Sequence, residues 1–353
     1  MNNHKEKAII GCIIGTAIGD AIALPLEGLS KQRQLRCFPE IHRHNLLFGK
    51  GMISDDTEHT CMVGQSLIYS AGDGAKFSHY LSWELRWWLL LPGGIGFATL
   101  RAICKLWLGF PPHKSGVFSA GNGPAMRSAI IGVCYGNDLV KLRQLIKIST
   151  IITHSDPKAE YGAFAVAIAA FLSSQNTPIL PNDYYNYLLN TLPGEDLDFL
   201  SLIQSACLSA ELGESSEKFA IKIGNKKGIS GYIYHTVAVV IQTWLRHQTN
   251  YRDGILEIMR CGGDTDTIAA ILGGIIGAKV GKDQIPKDWI NNLWEYPRNI
   301  KWMERLGKRL AEVCESGITQ KPLFLPVWWI LLRNLLFILV IIFHGFRRLL
   351  PPY

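Results

Sequence analysis

The sequence predicts an all-α protein. Long apolar runs are separated by clusters of Gly, Pro and Asn, and few stretches alternate apolar and polar residues as half-exposed strands do. The chain has 353 residues, of which 48% are hydrophobic and 18% charged. It can therefore bury a large core, and a disordered or disulfide-stapled protein is excluded. We expect a compact multi-helix domain over residues 1–315 and a short apolar tail over 316–353.

The expected helices are stretches in which apolar residues recur at helical spacing between capping and breaking residues. No fixed-period repeat is visible, which disfavours a solenoid. We predict the helices at about residues 5–24, 55–70, 76–90, 96–108, 124–135, 139–152, 157–173, 183–190, 197–212, 217–224, 232–247, 252–259, 265–280 and 301–314.

The first predicted helix resembles a membrane signal, because the apolar run from Ala8 to Leu26 follows a basic start. Asp20 lies inside this run, however, and a carboxylate at the centre of a bilayer costs about 2.5–3.5 kcal/mol even on insertion scales. No small-residue cleavage site precedes Glu27. We therefore predict a buried helix of the domain.

Two predicted helices carry small residues along one face. These residues repeat every four positions, as Gly11, Gly15 and Gly19 in the first helix and as Ala269, Gly273, Gly277 and Gly281 in the late one. Glycine weakens a helix by about 1 kcal/mol relative to alanine, so its repeated use needs a reason. Small residues let two helix backbones approach closely, and we expect these helices to pack tightly in the core.

Two acidic clusters open predicted helices, SDDT at 54–57 and DTDT at 264–267. One such cluster alone is typical of a helix N-cap, but two of them, one after a double glycine, exceed what capping needs. Four carboxylates brought together repel one another unless a cation lies between them. Oxygen donors select a hard ion such as Mg²⁺ or Ca²⁺ over zinc, and a pair of ions is compatible with this number of donors. In DTDT, we expect Thr265 to point outward and the other three side chains to point the same way.

Three further segments have the composition of binding loops. They are Gly19–Gly28, which presents Glu27 after the first helix, Phe118–Arg127, a glycine turn that runs into a helix, and Ile152–Pro157, which places His154 between two helices. Free N–H groups at a glycine turn before a helix can receive phosphates. Each segment alone also fits a structural role, since GNG occurs in ordinary turns and a lone histidine is more often structural.

Taken in order, these segments resemble the ADP-ribosylglycohydrolase family over residues 5–312. The matching motifs are G-x-x-x-G-x-x-x-GDA-x-x-x-P-x-E (11–27), SDDT (54–57), GNG-x-AMR (121–127), THSDP (153–157) and GGDTDT-x-A-A-x-x-G-x-x-x-GA (262–278). The resemblance implies an all-helical fold and hydrolysis of a glycosidic bond to ADP-ribose. Its departures are small: Ser54 stands where Thr is frequent, and Ala23 where Gly is common.

The resemblance also implies roles for particular residues. A pair of Mg²⁺ ions would be bound by Ser54, Asp55, Asp56, Asp264, Asp266 and Thr267. The ADP-ribose would be held by Gly121, Asn122, Gly123, Met126 and His154. Glu27 would lie at the mouth of the metal site as a gate or an acid–base group, and we take Glu27, Asp56 and Asp264 as the candidate catalytic residues. Residues 86–115 match no motif, and we expect a loop there to face the acceptor.

The charge and cysteine patterns argue against a nucleic-acid-binding protein and against a zinc site. The net charge is +7, but the tail from Ser316 to Tyr353 has four basic and no acidic residues, so the domain is close to neutral. This balance gives no support for a nucleic-acid-binding face. The eight cysteines are scattered without a CxxC pair, which indicates reduced thiols in a cytoplasmic protein rather than a zinc site.

The tail contains an apolar stretch, Leu323–Phe343, which is long enough to span a bilayer as a helix. Arg333 and Asn334 fall at its middle, so a clean span would be costly. An interfacial or re-entrant pair of short segments, and a helix packed on the domain, remain as alternatives. We favour attachment to the cytoplasmic face of a membrane, because Arg347 and Arg348 supply a basic flank.

We therefore expect a Mg²⁺-dependent hydrolase that removes ADP-ribose from a protein side chain or a small molecule. One alternative is a non-catalytic relative that binds ADP-ribose or serves a structural role. Another is a membrane-tethered adaptor whose domain only recognises ADP-ribose. The motifs hold the ADP-ribose half of the substrate, so the acceptor, which could be arginine, serine or a small molecule, stays open, as does the oligomeric state.

Overall fold

The computed structural model describes residues 3–38, 41–88, 94–175, 177–192 and 196–350. Over these ranges the chain forms helices joined by loops, with isolated β-bridges and no strand. The prediction of an all-α fold is thus confirmed. The division of the chain at residue 315 stays a prediction.

The helices vary from single turns to six turns in length. Two short 3₁₀ segments, Leu24–Leu26 and Lys282–Gln284, follow the ends of the two central helices. In chain order the α-helices within the described ranges are α1 (Asn3–Ala23), α2 (Lys31–Cys37), α3 (Asp55–Ser70), α4 (Gly74–Trp88), α5 (Phe97–Trp107), α6 (Pro112–Ser115), α7 (Gly123–Met126), α8 (Ala129–Tyr135), α9 (Leu139–Ile151), α10 (Pro157–Ser173), α11 (Pro181–Thr191), α12 (Leu197–Glu211), α13 (Ser216–Lys222), α14 (Ile233–Arg246), α15 (Tyr251–Met259), α16 (Thr265–Val280), α17 (Lys287–Asn291), α18 (Ile300–Ser316) and α19 (Val327–Arg347).

Most long helices form where the sequence predicts them, and α3, α10 and α16 have the predicted bounds. The prediction of a single helix at 124–135 is wrong. The chain forms α7 and α8 instead, because the helix breaks at Arg127 and Ser128, where the Arg127 side chain turns into the core. Three helices of seven residues or fewer, α2, α6 and α17, have no counterpart in the prediction, since so few residues carry little periodicity. The end of the helix predicted at 76–90 lies outside the described residues.

The two glycine-striped helices, α1 and α16, pack against each other at the centre of the domain. A Cβ atom on Gly15 would lie 2.1 Å from the carbonyl oxygen of Gly273, and one on Gly19 would lie 2.1 Å from that of Ala269. The helices are therefore in backbone contact, as the stripes predict. Facing residue numbers rise along α1 as they fall along α16, so the pair is antiparallel. This pairing places the end of α1 beside the start of α16.

In the part of the chain that the structure describes, two helices are long and apolar enough to cross a membrane by length and composition. The first, His4–Leu26, is 94% buried and is the core helix that the position of Asp20 predicts. The second is α19, which is 28% buried. It is one unbroken helix, so the alternative of two short segments is wrong, and its Arg333 and Asn334 side chains are buried against the domain.

Candidate active site

Three helix ends bring the predicted acidic residues together. Ser54 caps α3, its hydroxyl oxygen accepting from the backbone N–H of Asp56, and Asp264 precedes the first residue of α16. The antiparallel packing of α1 and α16 adds the end of α1 with the loop that carries Glu27. Helix N-termini stabilise negative charge through their free N–H groups, so two such ends suit a cluster of carboxylates.

Asp20, at the end of α1, holds the start of α3 in place. Its Oδ2 atom accepts from the backbone N–H groups of Ser54 at 2.9 Å and Thr57 at 3.3 Å, and from the Thr57 hydroxyl at 2.5 Å. The side chain is fully buried. The sequence did not identify Asp20 as part of the site, although a lone carboxylate inside an apolar run is a signal of such a role.

Asp56 joins α3 to α16 behind the site. Its Oδ2 atom accepts from the hydroxyl groups of Ser54 and Thr267, both at 3.2 Å. Its second oxygen, Oδ1, is buried without a hydrogen-bond partner among the described residues. Ser54 and Thr267, which are predicted metal ligands, thus orient Asp56, which is a third one. The Oδ1 atom of Asp56 is left free to bind a ligand.

Glu27, Asp264 and Asp266 form a close group within the cluster, in which Glu27 is exposed and Asp266 is buried. One carboxylate oxygen from each lies within 4.8 Å of the others, a separation that could hold a metal ion. Asn122 donates from Nδ2 to Asp264 Oδ2 at 2.7 Å, which ties the GNG loop to the acids. The structure therefore brings the metal-binding and ADP-ribose-binding motifs of the sequence to one place.

Thr265 differs from its prediction. It does not point outward, because its side chain is fully buried and its hydroxyl donates to the carbonyl oxygen of Ala23 at 3.2 Å. The first turn of α16 turns this side chain toward the end of α1, where the bond stabilises the contact of the two central helices. Asp264, Asp266 and Thr267 all line the cavity described below, as expected.

Crowding and burial disfavour negative charge in this cluster. Burial, and the neighbouring carboxylates second to it, raise the pKa of Asp55, Asp56 and Asp266 well above the usual aspartate range. Burial raises the pKa of Asp20 to about 6, and burial with the charge of Asp264 raises that of Glu27.

The cluster fits a hard cation. Asp20, Asp56 and Asp266 each have a buried Oδ1 atom with no hydrogen-bond partner among the described residues. Buried polar atoms are rarely left without a partner, so these oxygens indicate a ligand. The donors in the cluster are carboxylate and hydroxyl oxygens, which Mg²⁺ prefers.

The GNG loop lies against the ring of His154. A Cβ atom on Gly121 would approach His154 Nε2 to 2.9 Å, and one on Gly123 would approach Cε1 to 3.1 Å. Glycine at these positions lets the loop approach the ring closely. The isolated bridge between Val117 and His154 fixes the histidine beside the same loop.

A buried arginine supports this histidine. Arg127, at the end of the AMR motif, is fully buried and contacts Thr153 Oγ1 at 2.7 Å and His59 Nδ1 at 3.0 Å. Thr153 Oγ1 in turn lies 2.8 Å from His154 Nδ1. Burial, and then the charge of Arg127, lower the pKa of His154 to about 3, so its imidazole is neutral. The roles of Arg127 and His59 depend on tertiary contacts and were not predicted.

The motifs enclose a cavity of about 770 Å³. Its acidic part contains Glu27, Asp264, Asp266 and Thr267, and another part of the wall contains His154 with the GNG loop. Asp56 is the one predicted site residue that does not line the cavity, because it lies behind Ser54 and Thr267. The other predicted residues that line it are Ser54, Asp55, Gly121, Asn122, Gly123, Met126, His154, Asp264, Asp266 and Thr267.

The loop of residues 229–231 also lines the cavity, and two further segments complete its wall. Residues 94–99, which end in the first turn of α5, belong to the region in which we expected an acceptor-facing loop, and residues 89–93 of that region lie outside the described part of the chain. Phe337 and Ile341 of α19 form the other segment. The tail therefore contributes to the site, which the sequence motifs do not indicate.

Comparison with known proteins places these features in a family. The family model of the ADP-ribosylglycohydrolases matches residues 1–319. An uncharacterized protein of Archaeoglobus fulgidus is 28% identical, over 87% of this chain and 97% of its own. The ADP-ribosylhydrolase ARH3 of Gallus gallus is 26% identical, over 79% of this chain and 87% of its own. The ADP-ribosyl-[dinitrogen reductase] glycohydrolase of Rhodospirillum rubrum is 24% identical, over 80% of this chain and 89% of its own.

The fold agrees with that of a solved protein. A structure described as an ADP-ribosylglycohydrolase-related protein complex superposes with a TM-score of 0.63, covering 88% of this chain and 99% of the other at 24% identity. The match of the family model over nine-tenths of the chain, together with the five motifs at one cavity, leads to one conclusion. The chain belongs to the ADP-ribosylglycohydrolase family.

Proposed function

We propose that the protein is a Mg²⁺-dependent hydrolase that cleaves the glycosidic bond between ADP-ribose and an acceptor. The observation that carries the proposal is the cavity that the acidic cluster shares with the GNG loop and His154. Asp266, whose buried Oδ1 atom has no partner among the described residues, lines this cavity. Relatives named as ADP-ribosylhydrolase and ADP-ribosyl glycohydrolase support the reaction class.

The metal ligands in this proposal are those that the family resemblance implies, and two of them, Asp56 and Asp266, have a buried oxygen without a partner among the described residues. Two Mg²⁺ ions would be held by Ser54, Asp55, Asp56, Asp264, Asp266 and Thr267. Bound Mg²⁺ would orient the ribose hydroxyl groups and lower the pKa of a bound water. With the cation in place, the burial and repulsion that raise the pKa values of Asp55, Asp56 and Asp266 would be offset, and these acids would be ionised at neutral pH.

Glu27 is suited to move a proton. It lies at the mouth of the cluster, where burial and the charge of Asp264 raise its pKa above the usual glutamate value. A raised pKa makes a carboxylate a stronger base. Cleavage of a glycosidic bond passes through an oxocarbenium-like state and needs a deprotonated water. In our proposal Glu27 accepts the proton of the attacking water, and Asp56 and Asp264 position the groups around it.

The part of the wall formed by His154 and the GNG loop is suited to bind the ADP-ribose half. His154 is neutral, so it presents a flat uncharged ring, and the glycines beside it let the backbone of the GNG loop lie close to that ring. Asn122 connects this wall to the acids through Asp264, which would couple ADP-ribose binding to the reacting end. The acceptor would leave past residues 94–99 and α19.

The test is release of ADP-ribose by the full-length protein from arginine-linked, serine-linked and small-molecule ADP-ribose conjugates, with Mg²⁺ and with EDTA. We expect release from at least one linkage with Mg²⁺ only, and a loss of about 100-fold or more in kcat for Glu27→Gln. Asp288→Asn, which alters an exposed ion pair with Arg252, is the control and should retain full activity.

Each result bears on the proposal. Release that persists in EDTA would overturn the role of Mg²⁺. Binding of ADP-ribose without release from any of the three conjugates would overturn the hydrolase in favour of a binding protein. The linkage that is cleaved would name the acceptor.

A further inference from the structure

Helix α19 turns its polar residues Arg333, Asn334 and His344 inward and large apolar side chains outward, whereas a helix on the surface of a soluble protein turns polar residues outward. The buried side chains include Arg333, Asn334 and His344, with Phe337 and Val340 between them. Residues that recur in this way at 3.6-residue spacing form one stripe along the helix. The stripe lies against the domain, so the arginine and asparagine that make a membrane span costly are shielded from any lipid.

Hydrogen bonds fasten the inner face along its length. The Arg333 guanidinium donates to both carboxylate oxygens of Glu295, at 2.9 and 2.7 Å, and to the carbonyl oxygen of Ile53. His344 contacts the carbonyl oxygen of Leu46. These two anchors are about 16 Å apart along the helix at 1.5 Å per residue. A helix held to the domain over this distance can lie along a membrane but cannot cross it.

The outer face of α19 consists of large apolar side chains that project away from the domain. Each is between 48 and 83% exposed. Its members are Trp328, Leu332, Leu335, Leu339, Ile342 and Phe346. Monomeric soluble proteins rarely expose a contiguous apolar patch of this kind, so the outer face of α19 needs a partner.

Aromatic residues flank the outer face of α19 at both ends. At its start, Trp329 contacts the ring of Tyr296 with centroids 5.4 Å apart, and both side chains are about half exposed. Near its end, Phe48 is 96% exposed in the turn that follows Leu46, the residue in contact with His344. Aromatic side chains are enriched at the boundary of lipid and water, where an apolar ring and a polar edge are both accommodated.

The charge around the outer face of α19 is positive. The chain has no acidic residue from Ser316 to its end, and Lys321 and Arg347 are exposed. Arg33 of α2 donates to the carbonyl oxygen of Arg348 and adds a further cation. Such a surface complements anionic lipid headgroups. A second copy of this chain would instead bring two positive flanks together, so charge favours a bilayer over a dimer.

We propose that α19 lies in the plane of an anionic membrane, with the outer face of α19 and Phe48 among the lipids and the domain above them. The wall that Phe337 and Ile341 contribute to the cavity is on this same helix. The active-site cavity is then separated from the lipid by the width of one helix, about 10 Å.

The test is flotation of the full-length protein with vesicles of equal parts phosphatidylcholine and phosphatidylglycerol, and with vesicles of phosphatidylcholine alone. We expect binding to the mixed vesicles that exceeds binding to the neutral ones. The variant L335E/L339E should lower the partition coefficient at least about tenfold, because two apolar side chains leave the lipid. The matched control is L197E/L212E, which changes two leucines of 77 and 75% exposure elsewhere on the domain.

The readout is binding alone, so it does not depend on the proposed hydrolysis. Both variants alter exposed positions, and unchanged circular dichroism would show that they fold. No binding to either vesicle, equal binding by L335E/L339E, or equal loss in L197E/L212E would overturn the proposal. A dimer in vesicle-free buffer that L335E/L339E converts to a monomer would overturn it as well, because self-association would then cover the outer face of α19.

Discussion

Asp20 is the buried residue on which the geometry of the acidic cluster depends. Its Oδ2 atom accepts three hydrogen bonds from Ser54 and Thr57, so it fixes the first turn of α3 and with it Asp55 and Asp56. It does not line the cavity. We therefore regard Asp20 as a positioning residue, comparable to the groups that orient metal ligands in other sites.

Replacing Asp20 by asparagine should weaken Mg²⁺ binding. The amide keeps one acceptor for the donors of α3, but it removes the negative charge and puts an NH₂ group in place of the unpartnered Oδ1 atom, so we expect about 10- to 100-fold lower Mg²⁺ affinity. Mg²⁺ titration of activity and of heat release measures the change. Thr57→Val removes one donor and should have a smaller effect. Lower stability with unchanged Mg²⁺ affinity would show that Asp20 has only a structural role.

The contact of the GNG loop with His154 gives a second prediction. Gly121→Ala would place a methyl group 2.9 Å from His154 Nε2, so the loop must shift. We expect KM for the ADP-ribosylated substrate to rise about tenfold or more, since small displacements of binding groups are costly. Steady-state kinetics and thermal unfolding distinguish a binding effect from a folding defect. Gly96→Ala is the matched control, because it lines the same cavity and its Cβ would meet nothing within 4 Å.

At the scale of elements, the fit of α1 against α16 decides whether the site can form. The backbones touch at Gly15 and Gly273, and no side chain larger than hydrogen fits between them. Gly15→Ala should therefore lower the free energy of unfolding by about 1–3 kcal/mol through overpacking. Chemical denaturation measures the difference.

The matched control for this substitution is Gly345→Ala in α19. Its Cβ would meet nothing within 4 Å, and alanine favours a helix over glycine by about 1 kcal/mol, so we expect no loss of stability. Equal effects of the two substitutions would contradict the role of backbone contact in packing the central pair.

Glu257 connects three helices away from the site. It accepts from Ser216 at the start of α13 at 2.8 Å and contacts Arg246 and His247 at the end of α14. Burial alone would raise its pKa, but the hydrogen bonds to His247 and Ser216 and the charge of Arg246 outweigh burial and lower it to about 2. This network keeps α13, α14 and α15 in register.

The depressed pKa of Glu257 predicts a pH dependence of stability. The unfolded chain binds this proton near pH 4.5 and the folded chain only near pH 2, so the stabilisation is present above pH 4.5 and lost as pH falls through 2. The free energy of unfolding should therefore depend less steeply on pH in Glu257→Gln than in the wild type between pH 2 and pH 4.5. Denaturant unfolding at several pH values measures this dependence. An equally steep profile in the variant would exclude Glu257 as its source.

The sequence predicts the long helices well because their periodicity extends over several turns. It fails at α2, α6 and α17, which are shorter than two turns, and at Arg127, where a buried contact interrupts a helical pattern. The hydropathy of the tail indicates a membrane segment but not its orientation. The orientation of α19 depends on the hydrogen bonds between Arg333 and Glu295. These residues are 38 positions apart in the sequence and come into contact only in the folded chain, so no local sequence pattern predicts the contact.

At the scale of the whole molecule, one cavity collects motifs that are up to about 240 residues apart in the sequence. The sequence could identify Asp55, Asp264 and His154, because acids and histidines in loops stand out. It could not identify Arg127, which acts through another side chain. The antiparallel pairing of α1 and α16 turns separate motifs into one site. The site is thus a consequence of the fold as well as of the motifs.

The measurement that tests the metal site most directly is the unfolding temperature with EDTA and with saturating Mg²⁺, for wild type and Asp266→Asn. At a concentration 100 times its dissociation constant, a ligand stabilises by about 2.7 kcal/mol, so Mg²⁺ should raise the wild-type value by several degrees. Asp266→Asn should lose this response yet unfold at a higher temperature than wild type in EDTA, because one unpartnered buried carboxylate is gone. The exposed control Asp288→Asn should behave as wild type. No Mg²⁺ response in wild type, or an unchanged one in Asp266→Asn, would contradict the metal site.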